Sequence, residues 1–378
     1  MNLALSDEQV LLREAARGTL ARAKTVEAAR AALDGGELPD LWPTAIEAGW
    51  PGLLIDDDQG GAGLDVFDAM LVLGEAGRVL AGVPLLGHLP ATFLLNAAGA
   101  DELPALASGD RRAAYLPTRP PGDVLAAWTV DPLSGSERAA ALTAQVDGGT
   151  ATVSGALHWV PDAPGADLLV GVAIGGDGTA IGVSVEADQP GVAVESVHRY
   201  DATRSLGQVT LSDARARVLG LGEEDLAAAW YLAQSLLAAE SLGSVEVALE
   251  VSVAYAKERH TFGRAIGSYQ AIKHGLTEVL RQQENTRSLT YYAGWARHGA
   301  PAEFPLAASA ARSAAGHALD YAAREMISVH GGIGATWEHD APLYFRRAEL
   351  SRRLLGGTDD ATDRVADQLL READAALA

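Results

Sequence analysis

Two blocks of this sequence carry residue types that could hold an anion. The first runs from Tyr255 to His274, YAKERHTFGRAIGSYQAIKH. Its pattern predicts a helix carrying Lys257, Glu258 and Arg259, a turn at Thr261-Phe262-Gly263, and a new helix starting near Ser268. A helix end, a glycine turn and a guanidinium can bring backbone N–H groups and a planar two-pronged donor onto one phosphate. The second block, His330-Gly331-Gly332-Ile333-Gly334, lies well downstream. Its glycines let backbone approach a ligand closely. Either block alone is more often an ordinary turn. Together they suggest a flavin site split between distant parts of the chain.

A third place could do acid–base chemistry. Glu240 lies in Ala238-Ala239-Glu240-Ser241-Leu242-Gly243, inside a long helical pattern. At about 100° per residue, its neighbours within about 60° are Leu236, Leu237, Gly243, Ser244, Val247 and Val251. That is an apolar stripe holding one carboxylate. Glu246 and Glu250 fall about 120° and about 80° away and read as a solvated acidic edge. A carboxylate on a buried stripe is costly unless it is paired or functional. Glu240 is therefore either a proton-abstracting base or half of an ion pair with an arginine from a neighbouring helix. The small residues Ala238, Ala239 and Gly243 permit either a roomy pocket or close helix packing.

Composition narrows the classes. With 378 residues the chain is too long for one small core, and 48% hydrophobic content excludes global disorder. A formal net charge of -21 argues against a nucleic-acid partner, so any phosphate must be met locally by a few arginines. No cysteine is present, which removes disulfides, thiolate catalysis and Cys-ligated metal sites. No stretch approaches the roughly 18 apolar residues of a membrane span, and the N-terminus lacks a signal-peptide core. The expectation is a cytoplasmic protein with no membrane insertion and no metal.

The elements that must position these residues fall into three textures. Residues 1–109 are helical, with an N-cap at Ser6 and helices expected over Asp40–Ala48, Val66–Val79 and Gly87–Ala98; the polar loop Asp56–Gly63 reads as a connector. Residues 110–217 hold short Val-rich segments between Asp-Gly and Gly-Gly turns, which predicts an antiparallel barrel or sandwich. Residues 218–378 are helical again, over about Glu223–Arg259, Ser268–His298, Pro305–His330 and Asp340 to the C-terminus, which predicts a four-helix bundle. The fold class is α+β multidomain: helices, a central β domain, then a bundle.

This order, joined to the two glycine blocks, resembles the acyl-CoA dehydrogenase family over essentially the whole chain. Leu41-Trp42, Ala48-Gly49-Trp50, Gly60-Gly61-Ala62-Gly63, Asp201-Ala202-Thr203-Arg204, Trp337-Glu338-His339-Asp340 and Arg346-Arg347 also match. The resemblance implies FAD lying between the β domain and the bundle, with its ADP half reaching a neighbouring subunit. Arg259 then matches the arginine that holds the pyrophosphate, in the block that includes Thr261. Phe262 and Gln270 match residues near the adenosine half, and Gly331, Gly332 and Gly334 match the run contributed by the other subunit. Trp159 matches a tryptophan beside the isoalloxazine, and Thr358 a threonine near the flavin. The implied reaction is α,β-desaturation of an acyl-CoA thioester in fatty acid or steroid side-chain degradation. Electrons would pass to an electron-transfer flavoprotein.

Several positions depart from the family pattern. The base often stands just before the Gly-Thr near the C-terminus, and here that place is Gly356. A second location, seven residues before Glu240, is Ala233. Glu240 is the remaining candidate for the base, and this part of the chain is similar to actinobacterial steroid and side-chain acyl-CoA dehydrogenases that can form heterotetramers. The Thr-Glu-Pro-Gly-like loop is barely kept in Tyr115–Gly122. Pro161 stands near where a flavin-bonding Thr is common, and it has no N–H to donate. Ser328 replaces an adenine-contacting Gln. Two expectations follow: a self-sufficient homotetramer with Glu240 as base, or a half-site subunit of an α2β2 assembly whose paralogous partner supplies the missing groups.

Overall fold

The computed structural model describes residues 3–33, 35–120, 129–130, 139–198 and 200–377. Six helices come first: α1 Asp7–Arg22, α2 Thr25–Leu33, α3 Trp42–Glu47, α4 Val66–Arg78, α5 Leu85–Ala97 and α6 Leu103–Ser108. The expected N-cap is a reciprocal capping box. Ser6 Oγ accepts from the Gln9 N–H at 3.2 Å, and Gln9 Oε1 accepts from the Ser6 N–H at 3.1 Å. The glycine loop after α3 is a connector, as its acids suggested. The Ala62 and Gly63 N–H groups are committed to Gly52 O and Ile55 O, so they are not free to cradle a phosphate. The short helices α2 and α6 were not anticipated.

The β region begins with β1 Ala113–Leu116 and a small separate ladder of β2 Thr129–Val130 with β3 Ala139–Ala140. It continues through β4 Leu142–Asp147, β5 Thr150–Pro161, β6 Leu168–Gly175, β7 Ala180–Glu186, β8 Val192–Ser196 and β9 Leu206–Val218. The pairing path β6-β4-β5-β9-β7 returns to β6 and closes a barrel. Alternate residues such as Val153, Leu169, Val183 and Val209 fill its interior. The ladder is antiparallel except that β1 and β4 both run parallel to β6, sharing one of its edges in succession. Those two pairings differ from the wholly antiparallel sheet expected from sequence. They arise because β1 and β4 reach β6 through longer connections rather than tight turns. The register of β5 against β9 shifts between Leu157 and Val160, and Trp159 sits in that bulge with φ +57°.

The third part holds α7 Glu223–Glu258, the small hairpin β10 His260–Thr261 and β11 Arg264–Ala265, α8 Gln270–Gly299, α9 Phe304–His330, α10 Ala341–Ser351 and α11 Gly357–Leu377. The first three long helices start and end within two residues of the expected bounds. The last is two helices instead of one. Leu355, Gly356 and Gly357 have φ of +51°, +86° and +82°, a left-handed run that no α-helix can contain.

One hydrophobic core joins all three parts, with Met70 and Leu89 from the first helices, Tyr115 and Leu168 from the barrel, and Leu236, Phe304 and Leu354 from the bundle. At its centre α4 lies almost against the backbone of α7. A Cβ at Gly77 would fall 1.8 Å from Glu240 O, and a Cβ at Gly243 would fall 1.9 Å from Gly74 O. The Ser244 hydroxyl donates to Gly77 O at 2.7 Å across the same contact. The small residues around Glu240 therefore serve close helix packing and not a roomy pocket. Gly243→Ala should lower stability by about 1–3 kcal/mol through overpacking. Gly18→Ala, in the interior of α1 with nothing within 4 Å of the added Cβ, should be neutral or stabilising by up to about 1 kcal/mol. Denaturant unfolding of both variants checks this, and equal midpoints would contradict it.

Candidate functional site

The two glycine-bearing blocks meet in space. The Tyr255 ring, one turn from the end of α7, lies 4.3 Å from the His330 ring at the end of α9, and His330 lies 4.1 Å from His339. Arg259 is the exposed C-cap of α7, and its N–H donates to Tyr255 O at 2.8 Å. The hairpin that follows holds Thr261 and presents Phe262 at 93% exposure, with Gly263 in the left-handed region at φ +79°. Gln270 opens α8, and Ser328 lies on the last turn of α9; both are exposed. Gly331 has φ +62°, and neither it nor Gly332 has any atom within 4 Å of an added Cβ, so this turn is an open backbone surface. Gly334 differs: its Cβ would lie 2.7 Å from Ile327 O, so glycine there is required by packing.

At the junction of barrel and bundle the geometry is closed. Trp159 is half-buried and packs against the shared core. Pro161 is in the β5–β9 ladder opposite Leu206. The buried Thr358 hydroxyl lies 3.3 Å from Arg312 Nη1 and 3.3 Å from Arg352 O. The loop after β1 carries a residue that sequence reasoning passed over. Arg119 is buried, and its Nη2 donates to Gly356 O at 2.9 Å and lies 2.5 Å from Asp360 Oδ2. The signal was available in Thr118-Arg119-Pro120, which keeps the flanks of a Thr-Glu-Pro pattern and reverses the charge of its middle residue. Pro121 and Gly122 of that loop lie outside the described residues.

Glu240 is 4% exposed and gripped on both oxygens. Its Oε1 accepts from Arg347 Nη1 at 2.6 Å, and its Oε2 accepts from Arg204 Nη2. Arg347 also donates from Nε to Asp201 Oδ2 at 2.8 Å, and from Nη2 to Thr203 Oγ1 and to Leu80 O at 3.2 Å. Arg204 Nη2 further reaches Ser351 Oγ at 3.0 Å. Burial works against the charge on Arg347, but Glu240 and Asp201 outweigh it and raise its pKa. Burial alone would raise the pKa of Asp201, and Arg347 with Arg204 hold it below the usual carboxylate range. Two acids and two arginines thus form a charge-balanced buried cluster. This is the ion-pair alternative, with one arginine from the β8–β9 connection and one from α10. A base needs an oxygen facing the substrate carbon, and both Glu240 oxygens face guanidinium groups. The acidic edge is also corrected in part: Glu246 is partly buried and paired with Arg78 at 2.7 Å and Arg287 at 2.9 Å, while Glu250 is exposed and meets Arg78.

Comparison with known proteins places this architecture. The family model for the N-terminal domain of acyl-CoA dehydrogenase matches residues 6–116, and the model for its C-terminal domain matches residues 232–370. The chain belongs to the acyl-CoA dehydrogenase family. It is 31% identical to acyl-CoA dehydrogenase IpdE2 of Mycobacterium tuberculosis, over 96% of this chain and 98% of that one. It is 33% identical to acyl-CoA dehydrogenase FadE34 of the same organism, over 94% of this chain and 47% of that protein. A variant of the Tcur3481-Tcur3483 steroid ACAD superposes with a TM-score of 0.85 at 28% identity, covering 97% and 99% of the two chains. The ChsE4-ChsE5 complex from Mycobacterium tuberculosis gives 0.84 at 25% identity, covering 98% and 99%.

Acyl-CoA dehydrogenases are FAD-dependent oxidoreductases acting on acyl-CoA thioesters. The residues at the bundle's end fit the adenosine half of FAD: an exposed guanidinium, an exposed aromatic ring and an open glycine turn sit around the Tyr255–His330 contact. The junction side is tightly packed at the turn before α11. A Cβ at Gly356 would meet Arg119 Nε at 2.9 Å and the Trp230 ring at 3.0 Å, so that corner is filled.

Asp162, just past Trp159, is a second buried acid that the sequence did not single out. Its Oδ2 accepts from the Gly87 N–H at 2.8 Å, so the barrel caps the N-terminus of α5. Burial pushes its pKa up to about 7 from an ordinary 3.8, against the opposing pull of Gly87 and Arg204. The folded state therefore holds this proton more tightly than the unfolded state. The associated stability is present below the unfolded value and is lost as pH rises through the folded one. Asp162→Asn keeps an acceptor for Gly87 but cannot ionise. Its stability advantage over the parent should widen from pH 5 to about 7 and then level; a pH-independent difference would contradict this. For the cluster, Glu240→Gln should cost about 3–5 kcal/mol by leaving buried guanidinium charge uncompensated. Glu250→Gln, at an exposed pair, should cost no more than about 1 kcal/mol. Equal costs in denaturant unfolding would overturn the account of the cluster.

Proposed function

We propose that this chain is one kind of subunit in a mixed α2β2 acyl-CoA dehydrogenase. It lends the end of its bundle to the FAD of a paralogous partner whose own carboxylate removes the substrate α-proton. The observation that carries this reading is the pairing of both Glu240 oxygens with arginine, in a chain that has Gly356 and Ala233 at the two family base positions. The structural likeness to a Tcur3481-Tcur3483 steroid ACAD and to the ChsE4-ChsE5 complex supports a two-chain assembly and an acyl-CoA of the steroid side-chain class. A homotetramer using Glu240 as base would require that residue to leave two arginines while buried, which is strongly unfavourable.

In this reading Arg259 holds the pyrophosphate, with Thr261 beside it. Phe262, Gln270 and Ser328 would line the adenosine, and Gly331, Gly332 and Gly334 would supply the glycine run of the same cofactor site. Trp159 and Thr358 stand on the barrel and α11 sides of the junction. When bound, FAD would supply the hydride acceptor for the substrate's β-hydrogen, and an electron-transfer flavoprotein would take the electrons onward. Arg259 contributes a charge-assisted contact whose loss costs about 1.5–3 kcal/mol. In an assembly co-purified with its paralogue, Arg259→Ala in this chain should weaken FAD retention about tenfold or more while the assembly still forms. Unchanged retention would remove this chain's bundle end from the cofactor site.

A further inference from the structure

Away from the bundle end, the N-terminal helices and the barrel enclose a cleft of about 650 Å³. Its walls are largely apolar. Leu38 and Leu41 come from the segment before α3, Leu80 and Pro84 from the loop between α4 and α5, and Pro164 from the connection between β5 and β6. Clefts of this size and character are the usual seats of small organic ligands.

Among the described residues this cleft is lined by a single cation, Arg112, half-buried just before β1. Three contacts hold it in place. Asp167 Oδ2 accepts from its backbone N–H at 2.7 Å, Pro164 O accepts from Nη2 at 2.5 Å, and the guanidinium carbon lies 5.8 Å from the centre of the Trp42 ring. Gly165, at φ +80°, makes room for it, since a Cβ there would fall 2.0 Å from Nη2. A guanidinium carries five N–H donors. Among the described residues Pro164 O is the one acceptor this side chain meets, its buried Nε has no hydrogen-bond partner, and it forms no ion pair. The cleft thus offers a positioned, positively charged fork whose remaining donors are uncommitted.

The chemistry selects a monocarboxylate on a small apolar body. A carboxylate matches the planar fork with two parallel hydrogen bonds. A phosphate dianion would meet one cation and would also face Asp40, a lining acid whose Oδ1 already accepts from the Trp42 N–H at 3.0 Å. A neutral apolar molecule would desolvate the guanidinium and return no hydrogen bond.

We propose that this cleft binds a small organic monocarboxylate, with the carboxylate on Arg112 and the apolar body against Leu38, Leu41, Leu80 and Pro84. The site does not depend on the half-site reading. Leu80 O and the Thr203 hydroxyl both accept from Arg347 Nη2, and both residues line the cleft, so an occupant rests on residues that hold the buried cluster.

The test is calorimetric titration of the full-length chain with cyclohexanecarboxylate. Cyclohexanecarboxamide serves as the neutral isostere and inorganic phosphate as the anion without an apolar body. The parent chain should take up about one cyclohexanecarboxylate per chain, saturably and about tenfold or more tighter than either control. Arg112→Gln should weaken that binding about tenfold or more. Leu38→Glu, a change at an exposed wall residue that sets a like charge beside the ligand, should weaken it as well. Thermal melting of each variant verifies that it is folded, and Leu38→Glu alone decides if Arg112→Gln does not fold. A parent chain with no saturable uptake, or folded variants that bind like the parent, would overturn the proposal. Carboxamide binding as tightly as the carboxylate would overturn the role of Arg112, and phosphate binding as tightly would overturn the ligand class.

Discussion

The buried cluster of Glu240, Arg347, Asp201 and Arg204 is the constraint on which the rest of this structure depends. Its members come from three places, Glu240 from α7, Arg347 from α10 and both Asp201 and Arg204 from the connection that enters β9, with Leu80 O from the loop between α4 and α5 completing the set. The cluster is nearly dry, with Arg347 and Asp201 at 1% and 2% exposure. Isolated, any one of these charges would be strongly disfavoured in the interior; together they balance and fill one another's hydrogen-bonding capacity. The three sequence regions are therefore held at one angle by a contact that cannot be partly made. Such a contact adds little net stability compared with apolar packing, but it punishes misalignment heavily.

The same cluster decides the chemistry available nearby. A carboxylate that accepts from two arginines is a poor proton acceptor for a carbon acid, because abstraction would discharge the partner of two buried cations. The approach of α4 to α7 through Gly77 and Gly243 brings the two backbones into direct contact beside Glu240. On the far side of the junction, Arg119 and Trp230 fill the corner at Gly356. By contrast the end of the bundle is open, with Phe262, Gly331 and Gly332 facing outward. In the proposed reading, the packed interior around Glu240 and Gly356 belongs with an open bundle edge that serves another subunit's cofactor.

Much of this was legible in the sequence. The long helices of the bundle follow from their length and apolar repetition, and the barrel from Val-rich segments between glycine turns. The Tyr255–His274 and His330–Gly334 blocks were read as parts of one split site with the glycine run coming from another subunit; within this chain they also touch, through the Tyr255 and His330 rings. The helical wheel correctly placed Glu240 on a buried stripe. It could not decide between base and ion pair, because Arg204 and Arg347 are distant in sequence and reach Glu240 only through tertiary packing. The small residues beside it were equally ambiguous, since a helix wheel shows which face is small but not how near the next backbone lies. Arg119 and Asp162 were missed because each acts on a distant part of the chain, Arg119 on Gly356 O and Asp360 and Asp162 on the Gly87 N–H, contacts that only tertiary packing brings together.

The most direct test of the central claim is the number of FAD molecules per subunit, counted after release from the purified chain alone and from the assembly it forms with its paralogue. The account predicts essentially none from the chain alone and about one FAD for each pair of unlike subunits in the assembly. About one FAD for every copy of this chain purified alone, together with turnover of an acyl-CoA, would contradict it and return Glu240 to consideration as the base.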